Sequence, residues 1–156
     1  MAHETVGLDE VKRESEKLKR RESIFVIFNI PSFKPVEFAI LDTYERTNSS
    51  ASGDAMDEKE MRKIFDICKS KIKKNSCCYV IYDFGFYRND RAFRNMVCLI
   101  TYIPDDHCSA NDRVIYSNSG LLLTSSLSIS KQMTFNSFEE FTFNNLVERC
   151  SSHKKN

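Results

Sequence analysis

The sequence has few of the residues that flexible or catalytic loops require. Among its 156 residues there is no tryptophan, and there are only four glycines and three prolines, which excludes collagen-like and low-complexity chains. The glycines are dispersed, and no Gly-rich phosphate loop, Gly-x-Ser-x-Gly turn or His-Glu-x-x-His helix occurs. The only compact acid and imidazole group, residues 105–107, follows Pro104 in a predicted loop, where we expect a solvated turn. We therefore expect a protein that is not an enzyme and needs no cofactor.

The chain also lacks a large net charge and a long hydrophobic run. Its formal net charge is +1, so no overall field directs it to nucleic acid or to an acidic membrane. The apolar runs, such as residues 24–28, are far too short to span a bilayer, and the polar N-terminus predicts no signal segment. The length suits one domain of common size. We expect a soluble intracellular protein.

Cysteine is the exception to this scarcity, with six residues at positions 68, 77, 78, 98, 108 and 150. Without a signal segment, and with several cysteines on apolar faces, reduced thiols are predicted rather than a disulfide framework. No metal site is expected, because paired Cys-x-x-Cys spacings are missing and the adjacent Cys77 and Cys78 point to opposite faces of a strand.

The first third of the chain predicts a helix followed by a hairpin. Apolar residues near helical spacing, with Asp9 available as a cap, predict a thin amphipathic helix over residues 8–21. Strand-like segments at 24–30 and 36–41 flank a turn at 31–35 that contains two prolines. This pattern predicts an antiparallel pair.

A second helix is predicted after a polar loop at residues 47–55. Asp57 and Glu60 resemble a capping pair at its start. Apolar residues then recur at i, i+3, i+4, i+7 and i+11, namely Met61, Ile64, Phe65, Cys68 and Ile72. This is the strongest helix signal in the sequence.

Residues 78–87, CYVIYDFGFY, give the clearest strand signal. They are rich in β-branched and aromatic residues, alternate with a period of two and contain no proline. Gly85 is expected at a bulge or bend. An arginine-rich turn at 88–91 follows, and a second strand is predicted over 96–102. Together these segments predict a β-hairpin with a basic tip.

The aromatic residues of this strand admit an alternative interpretation, in which Phe84 and Phe86 stack bases in an RNA-recognition strand. That pattern requires a basic residue and a glycine before the first aromatic, whereas Tyr82 and Asp83 stand there. A carboxylate repels phosphate. We expect both rings to fill the core and the chain to have no nucleic-acid partner.

The segment from Val114 to Leu127 supports two predictions. Its Ser-Asn-Ser-Gly sequence favours two short strands around a turn, and Gly120 costs a helix about 1 kcal/mol. The spacing of four residues, Tyr116, Gly120, Leu123 and Leu127, instead fits one helical face. A polar strand at 131–135 and a helix at 142–150 complete an α/β or α+β order with a mixed sheet.

Several segments of the chain resemble the actin-depolymerising factor/cofilin family. The strand CYVIYDFGFY carries the strongest likeness. Further similar segments are LITYIPDD at 99–106, RVIYSNS at 113–119, LVER at 146–149, TVGLDE at 5–10 and FVIF at 25–28. The resemblance covers about residues 4 to 150.

This resemblance implies an α/β, single-domain, cofilin-like fold with a mixed sheet of five or six strands flanked by helices on both faces. It implies a long helix across 114–127, against the local hairpin signal. The implied division is an N-terminal tail at 1–8, the domain at 9–150 and a C-terminal tail at 151–156. The implied function is binding of actin monomers and filaments, with filament depolymerisation and severing. The alternative within the family is an actin-binding protein that sequesters monomers or acts like coactosin without severing.

The resemblance also implies two sets of site residues, a cytoplasmic, cytoskeletal location and a monomeric state. The monomer-binding set is Glu4, Thr5, Val6, Gly7, Arg113, Val114 and Ile115. The filament-binding set is Arg88, Arg91, Arg94, Glu148 and Arg149. A basic run at 17–21, KLKRR, resembles a nuclear signal and equally fits a solvated helix end.

The sequence departs from the family at two sites of regulation. Residues 120–147 contain a single basic residue, Lys131, where the family presents a basic helix face to phosphoinositides, so phosphoinositide binding is expected to be weak. The family's regulatory serine in the tail is also missing, and Glu4 and Thr5 occupy that region.

Overall fold

The computed structural model describes residues 6–46 and 57–151. Its elements, in chain order, are α1 (Leu8–Lys19), β1 (Ser23–Phe33), β2 (Val36–Glu45), α2 (Glu58–Ser70), β3 (Cys78–Tyr87), β4 (Phe93–Tyr102), α3 (Ala110–Leu127), β5 (Lys131–Phe135) and α4 (Phe143–Ser151). The strands form one sheet in the order β2-β1-β3-β4-β5. Among the named strands that the structure describes, only β4 and β5 pair in parallel, and an isolated parallel bridge joins Val6 to Glu37 of β2. The predicted α/β class with a mixed sheet is confirmed, with five strands.

Two hydrophobic clusters cover the two faces of this sheet. On one face, α2 and α4 pack on residues that include Val80, Tyr82 and Ile100. On the other face, α1 and α3 pack on residues that include Tyr79 and Leu99. Alternation along the central strands supplies both clusters, because successive side chains point to opposite faces. The helices therefore flank both faces, as the resemblance implies.

The strand β3 lies at the centre of the sheet, between β1 and β4. Phe84 and Phe86 are buried in the cluster beneath α2 and α4, so they cannot stack on bases, and the RNA interpretation is wrong. The predicted bulge at Gly85 is also wrong, because the β3–β4 register runs without a shift through the Gly85–Asn95 pair. A Cβ atom at Gly85 would lie 3.0 Å from the Phe93 ring, so close packing is the reason for glycine.

Strand bounds near the two turns differ from the predictions. β1 continues to Phe33, so Pro31 lies within the strand and the turn narrows to Lys34 and Pro35. The β1–β2 register shifts between Asn29 and Ser32, which is the kind of irregularity where a strand tolerates proline's missing N–H. β4 begins at Phe93, which places Arg94 in a strand.

The segment 114–127 is helical, so the local hairpin prediction is wrong and the family-based one is confirmed. Ser109 caps α3: its side chain accepts a hydrogen bond from the Asp112 N–H, and the Asp112 carboxylate accepts one from the Ser109 N–H, at 3.0 and 3.2 Å. Burial of Tyr116, Leu123 and Leu127 against the sheet then outweighs the low helix propensity of the sequence between them.

Of the two predicted helix caps, Asp9 is wrong and Asp57 is right in position only. The N-cap residue of α1 is Gly7, and Asp9 lies in the first turn, where its charge still suits the helix dipole. Asp57 occupies the N-cap position of α2 but its side chain makes no capping hydrogen bond. Within the described ranges, no helix combines the length and hydropathy that crossing a bilayer requires.

The prediction of six reduced cysteines fails for one pair. Cys77, next to the start of β3, is disulfide-bonded to Cys108, next to the start of α3. Sequence spacing could not reveal this pair, because 31 residues separate the two cysteines. The other four cysteines, Cys68, Cys78, Cys98 and Cys150, are free and buried.

Candidate functional site

The N-terminal tail is held along the outer edge of β2. The Val6 N–H donates to the Val36 carbonyl at 3.0 Å, and the Phe38 N–H donates to the Val6 carbonyl at 2.7 Å. Gly7 then turns the chain into α1 with a φ of 86°. A Cβ atom at Gly7 would lie 2.1 Å from the Phe38 carbonyl oxygen. Glycine is therefore required here by both conformation and space. Glu4 and Thr5 lie outside the described residues.

Aromatic rings in tilted contact connect this tail to the first half of α3. Phe38, which pairs with Val6, lies 6.5 Å from the Tyr79 ring, and Tyr79 lies 5.0 Å from the Tyr116 ring. The Tyr79 hydroxyl donates to the Tyr116 carbonyl at 2.5 Å, and the Tyr116 hydroxyl accepts from the Ile30 N–H at 3.0 Å. The structure thus links Val6 and Gly7 to the start of α3 at one end of the sheet.

Burial moves the pKa of these two tyrosines further above physiological pH. Loss of solvent around the ring raises the pKa of Tyr116 to about 12, and it raises the pKa of Tyr79 further still. Both hydroxyls therefore keep the proton that they donate at any physiological pH. The connection between tail and helix is fixed by neutral hydrogen bonds and packing.

The start of α3 presents one basic residue, and that residue already has a partner. Arg113 forms an ion pair with the Asp105 carboxylate at 2.9 Å and donates to the Asp105 carbonyl at 2.8 Å. Val114 next to it is exposed, and Ile115 is half-buried against the cluster beneath α1 and α3. The charge that the sequence assigns to this surface is thus balanced within the chain.

The hairpin between β3 and β4 ends in a hydrogen-bonded turn. The Arg91 N–H donates to the Arg88 carbonyl at 2.8 Å, and Arg91 has a φ of 68°. The Asp90 carboxylate accepts from the Ala92 N–H at 3.0 Å, and this backbone hydrogen bond lowers the pKa of Asp90. Arg91 and Arg94 are exposed, so the turn presents their guanidinium groups to solvent.

The other two predicted filament residues lie on α4. Glu148 is exposed, whereas the Arg149 guanidinium lies 4.0 Å from the centre of the Phe135 ring and donates to the Thr134 carbonyl. Thr134 pairs with Thr101 on β4, seven residues from Arg94 and so about 25 Å away along the strand. The structure does not bring Arg149 into contact with the hairpin arginines.

Arg94 of the hairpin and the helix α4 nevertheless lie on the same side of the sheet. Arg94 alternates in phase with Met96 and Cys98 of β4, and these two side chains belong to the cluster that also contains Leu146 and Cys150 of α4. A surface that includes the hairpin tip and α4 therefore spans about 25 Å, which is within the reach of a standard protein interface.

A buried ion pair near the hairpin was not predicted from the sequence. The side chain of Asp83 on β3 is 1% exposed, and its carboxylate accepts hydrogen bonds from Arg46 at 2.8 Å and from Asn95 at 3.0 Å. The Arg21 guanidinium lies 3.7 Å from the same carboxylate. Together with apolar side chains these groups line a small cavity of about 30 Å³, which is the size of one water molecule. The only sequence signal is a carboxylate inside an apolar strand, which implies a buried partner but does not identify it.

The basic run at 17–21 is engaged in contacts within the chain. Lys17 lies 3.5 Å from Glu45, Lys19 donates to the Leu127 carbonyl, Arg20 pairs with Glu22 at 2.8 Å, and Arg21 faces Asp83. These contacts favour the interpretation of this run as a helix end over that of a nuclear signal.

Comparison with protein families matches residues 8–151 to the family described as cofilin/tropomyosin-type actin-binding protein. The chain belongs to this family. A curated relative, cofilin from Mycosarcoma maydis, is 25% identical over 87 residues, which are 56% of this chain and 63% of that protein. This match thus spans less than two thirds of the relative's length.

Solved structures of family members share the fold. Plasmodium berghei actin depolymerization factor 2 superposes with a TM-score of 0.73 at 17% identity, covering 95% of this chain and 96% of that one. Human coactosin-like protein superposes with a TM-score of 0.66 at 13% identity, covering 97% and 100%. At such low identity the structural likeness concerns the fold, and function has to be argued from the surfaces of this chain.

Proposed function

We propose that this ADF/cofilin family member is a non-catalytic, monomeric protein of the cytoplasmic actin cytoskeleton that binds actin monomers and filaments and promotes filament turnover by depolymerisation and severing. The observation that carries this proposal is the separation of two surfaces on the rigid central strand. The tail and the start of α3 meet near Tyr79, whereas the arginine hairpin begins at Arg88. Nine residues of extended chain separate them by about 30 Å.

The monomer surface consists of the tail at Val6 and Gly7 and the first turns of α3, with Glu4 and Thr5 as further predicted members. Its described part offers exposed Val6 and Val114 on a backbone that is fixed by the β2 pairing and by the Ser109 cap. A preorganised apolar anchor of this kind loses little conformational entropy on binding. It suits the apolar cleft between two actin subdomains that the family resemblance implies.

The filament surface consists of Arg88, Arg91 and Arg94 at the hairpin and Glu148 and Arg149 on α4. Positive charge at the exposed tip favours encounter with an acidic partner such as actin. Arg149 is held against Phe135, so its position is set before binding. The sheet fixes the distance between the two ends of this surface at about 25 Å, so both ends fit within one standard protein interface.

Replacing Arg91 and Arg94 by alanine should weaken co-sedimentation with actin filaments by about tenfold, because charges at an interface rim act on association. Monomer binding should be unchanged, because the monomer surface lies at the other end of β3. The measurement is a pelleting titration with filaments beside a fluorescence titration with monomers. A matched control, Lys59→Ala with Lys63→Ala, removes two exposed charges from α2 and should leave both affinities intact. Equal loss of monomer and filament binding in the arginine variant would show that the surfaces are wrongly assigned.

The second candidate function is filament binding without severing or depolymerisation. The absence of free positive charge on the described face of α3 favours it, because Arg113, the only basic residue of that helix, is paired with Asp105. The two functions differ in where actin is found after pelleting. A turnover factor moves actin from the pellet to the supernatant and alters nucleotide exchange on monomers, whereas a coactosin-like protein pellets with filaments and leaves the distribution of actin unchanged.

Phosphoinositide vesicles should neither bind this chain at physiological salt nor release it from actin. Residues 120–147 contain only Lys131 as a basic residue, and Arg113 is already paired with Asp105. Attraction to an anionic membrane needs several unpaired basic residues. Vesicle co-flotation with and without phosphoinositide measures this directly. Salt-sensitive binding to the phosphoinositide vesicles alone would contradict the prediction.

A further inference from the structure

The disulfide between Cys77 and Cys108 joins the start of β3 to the start of α3. Cys77 directly precedes β3, and Cys108 directly precedes Ser109, the N-cap residue of α3. Both cysteines are half-buried and pack at the margin of the cluster beneath α1 and α3. The bridge is therefore a covalent link near the surface, where small molecules in solvent can reach it.

The other four cysteines of the chain differ from this pair in accessibility, because all of them are buried and free. Cys78 is adjacent to Cys77 but points to the opposite face of the sheet, into the cluster beneath α2 and α4. Burial raises the pKa of the Cys78 thiol to about 12. Such a thiol forms very little of the thiolate that disulfide exchange requires. The bridge is therefore protected from exchange with its neighbour but open to thiols from solvent.

The bridge attaches the segment that leads into α3 to the rest of the fold. The other polar contacts that the structure describes for residues 106–113 join near neighbours in sequence, namely His107 with Pro104, Ser109 with Asp112 and Arg113 with Asp105. Further along the helix, the Tyr116 hydroxyl accepts from the Ile30 N–H at 3.0 Å and donates to the Cys77 carbonyl at 3.3 Å. The disulfide and Tyr116 thus hold the first two turns of α3 against the same residue, Cys77.

A half-exposed disulfide has a specific meaning in the cytoplasmic setting of the proposed function. Small thiols and thioredoxin keep cytosolic cysteines reduced, so disulfides there are usually transient and serve catalysis or redox sensing. Exposed bridges are also reduced more readily than buried structural ones. The proposed function includes no catalysis, which leaves redox sensing as the function of this bridge.

We infer that the Cys77–Cys108 bridge is a thiol–disulfide exchange site for a low-molecular-weight thiol such as glutathione, and that its reduction loosens the start of α3. One thiolate attacks a sulfur of the bridge, which forms a mixed disulfide and releases the other cysteine as a thiolate. A second small thiol attacks the mixed disulfide, and the protons of the two small thiols end on the two cysteines. The net change is two cysteine thiols and one small-molecule disulfide. The inference rests on the proposed function for its redox setting and adds a regulated site to it.

The test compares the chain equilibrated with oxidised and with reduced glutathione. Alkylation of the native protein should label no cysteine in the oxidised form and both Cys77 and Cys108 in the reduced form, while the four buried thiols stay unlabelled in both. Intact mass distinguishes the internal bridge from glutathione adducts. Hydrogen–deuterium exchange over residues 108–116 should be at least about fivefold faster in the reduced form, because local opening becomes easier. Exchange in α2, which the bridge does not join, should be unchanged.

The matched control is the double variant Cys77→Ser with Cys108→Ser. It should show the fast exchange of the reduced wild type in both buffers, since it has no bridge to form. Glutathione adducts in place of the bridge, or equal exchange over residues 108–116 in the oxidised and reduced wild type, would overturn the inference while the proposed function stands.

Actin-monomer affinity of the two forms provides the link to function. Reduction should weaken monomer binding by about threefold to tenfold, because a loosened α3 loses more conformational entropy when it binds. No monomer binding in either form would overturn the proposed function, and the exchange measurement would still decide the inference. Equal affinity of two forms that differ in exchange would overturn the assignment of the start of α3 to the monomer surface.

Discussion

Replacing Asp83 by alanine should lower the free energy of unfolding by about 3–5 kcal/mol, which is the usual cost of removing one partner from a buried ion pair. Asp83 accepts from the buried Arg46 side chain at 2.8 Å. Burial already lowers the pKa of Arg46, and the Asp83 charge opposes that effect. Without the carboxylate, Arg46 and Arg21 would face each other with no anion between them. Urea denaturation followed by tyrosine fluorescence or circular dichroism measures the loss.

The control for this experiment is an exposed ion pair of the same length. Arg20 and Glu22 also approach to 2.8 Å, but both side chains are more than half exposed, and exposed pairs contribute little because water screens them. Glu22→Ala should therefore leave the unfolding midpoint almost unchanged. Similar losses in the two variants would mean that burial does not govern the strength of the Asp83 pair.

Replacing Gly7 by alanine should lower the free energy of unfolding by about 2–4 kcal/mol, as the sum of a left-handed backbone penalty and a steric displacement. The added Cβ atom would lie 2.1 Å from the Phe38 carbonyl oxygen, and this rigid backbone cannot yield without breaking the Val6 pairing with β2. Monomer affinity should fall as well, because the tail would leave its position beside α3. Denaturant unfolding and a monomer titration measure the two effects.

Gly120→Ala is the matched control within the same chain. A Cβ atom there would lie 2.8 Å from Nε2 of Gln132, which is the end of a flexible side chain and can move. Alanine also improves the propensity of α3 by about 1 kcal/mol. Unfolding free energy should therefore change by less than about 1 kcal/mol. If the Gly7 and Gly120 variants were equally stable, the tail would not be held against β2 as described.

Elements with one dominant period can be predicted from this sequence. The helical spacing of apolar residues from Met61 to Ile72 predicts α2, and the alternation of side chains with a period of two predicts β3. Each of these patterns fits only one type of secondary structure. α3 fails this test, because its apolar residues are spread around the helix, with Leu121 and Leu122 exposed, and Gly120 interrupts the buried face. Packing on the sheet and the Ser109 cap decide its conformation. Resemblance to the family supplied that information, whereas local propensity favoured the hairpin.

The candidate surfaces are predictable in part for a related reason. Residue type and order identify the hairpin arginines and the residues that begin α3, since motifs are local in sequence. Pairings across the fold are not local. Two ion pairs depend instead on the distance between side chains in space. The Arg113–Asp105 pair balances the charge of the monomer surface. The Asp83–Arg46 pair joins β3 to the end of β2. The exposure of Leu121 likewise follows from how α3 lies on the sheet.

Pelleting of the wild-type chain with actin filaments tests the central claim, that this fold presents an actin-binding surface, most directly. We predict saturable co-sedimentation at physiological salt, with actin moving from the pellet to the supernatant as the chain is added in excess. Retention of the chain in the supernatant at every filament concentration, with the distribution of actin unchanged, would contradict the claim.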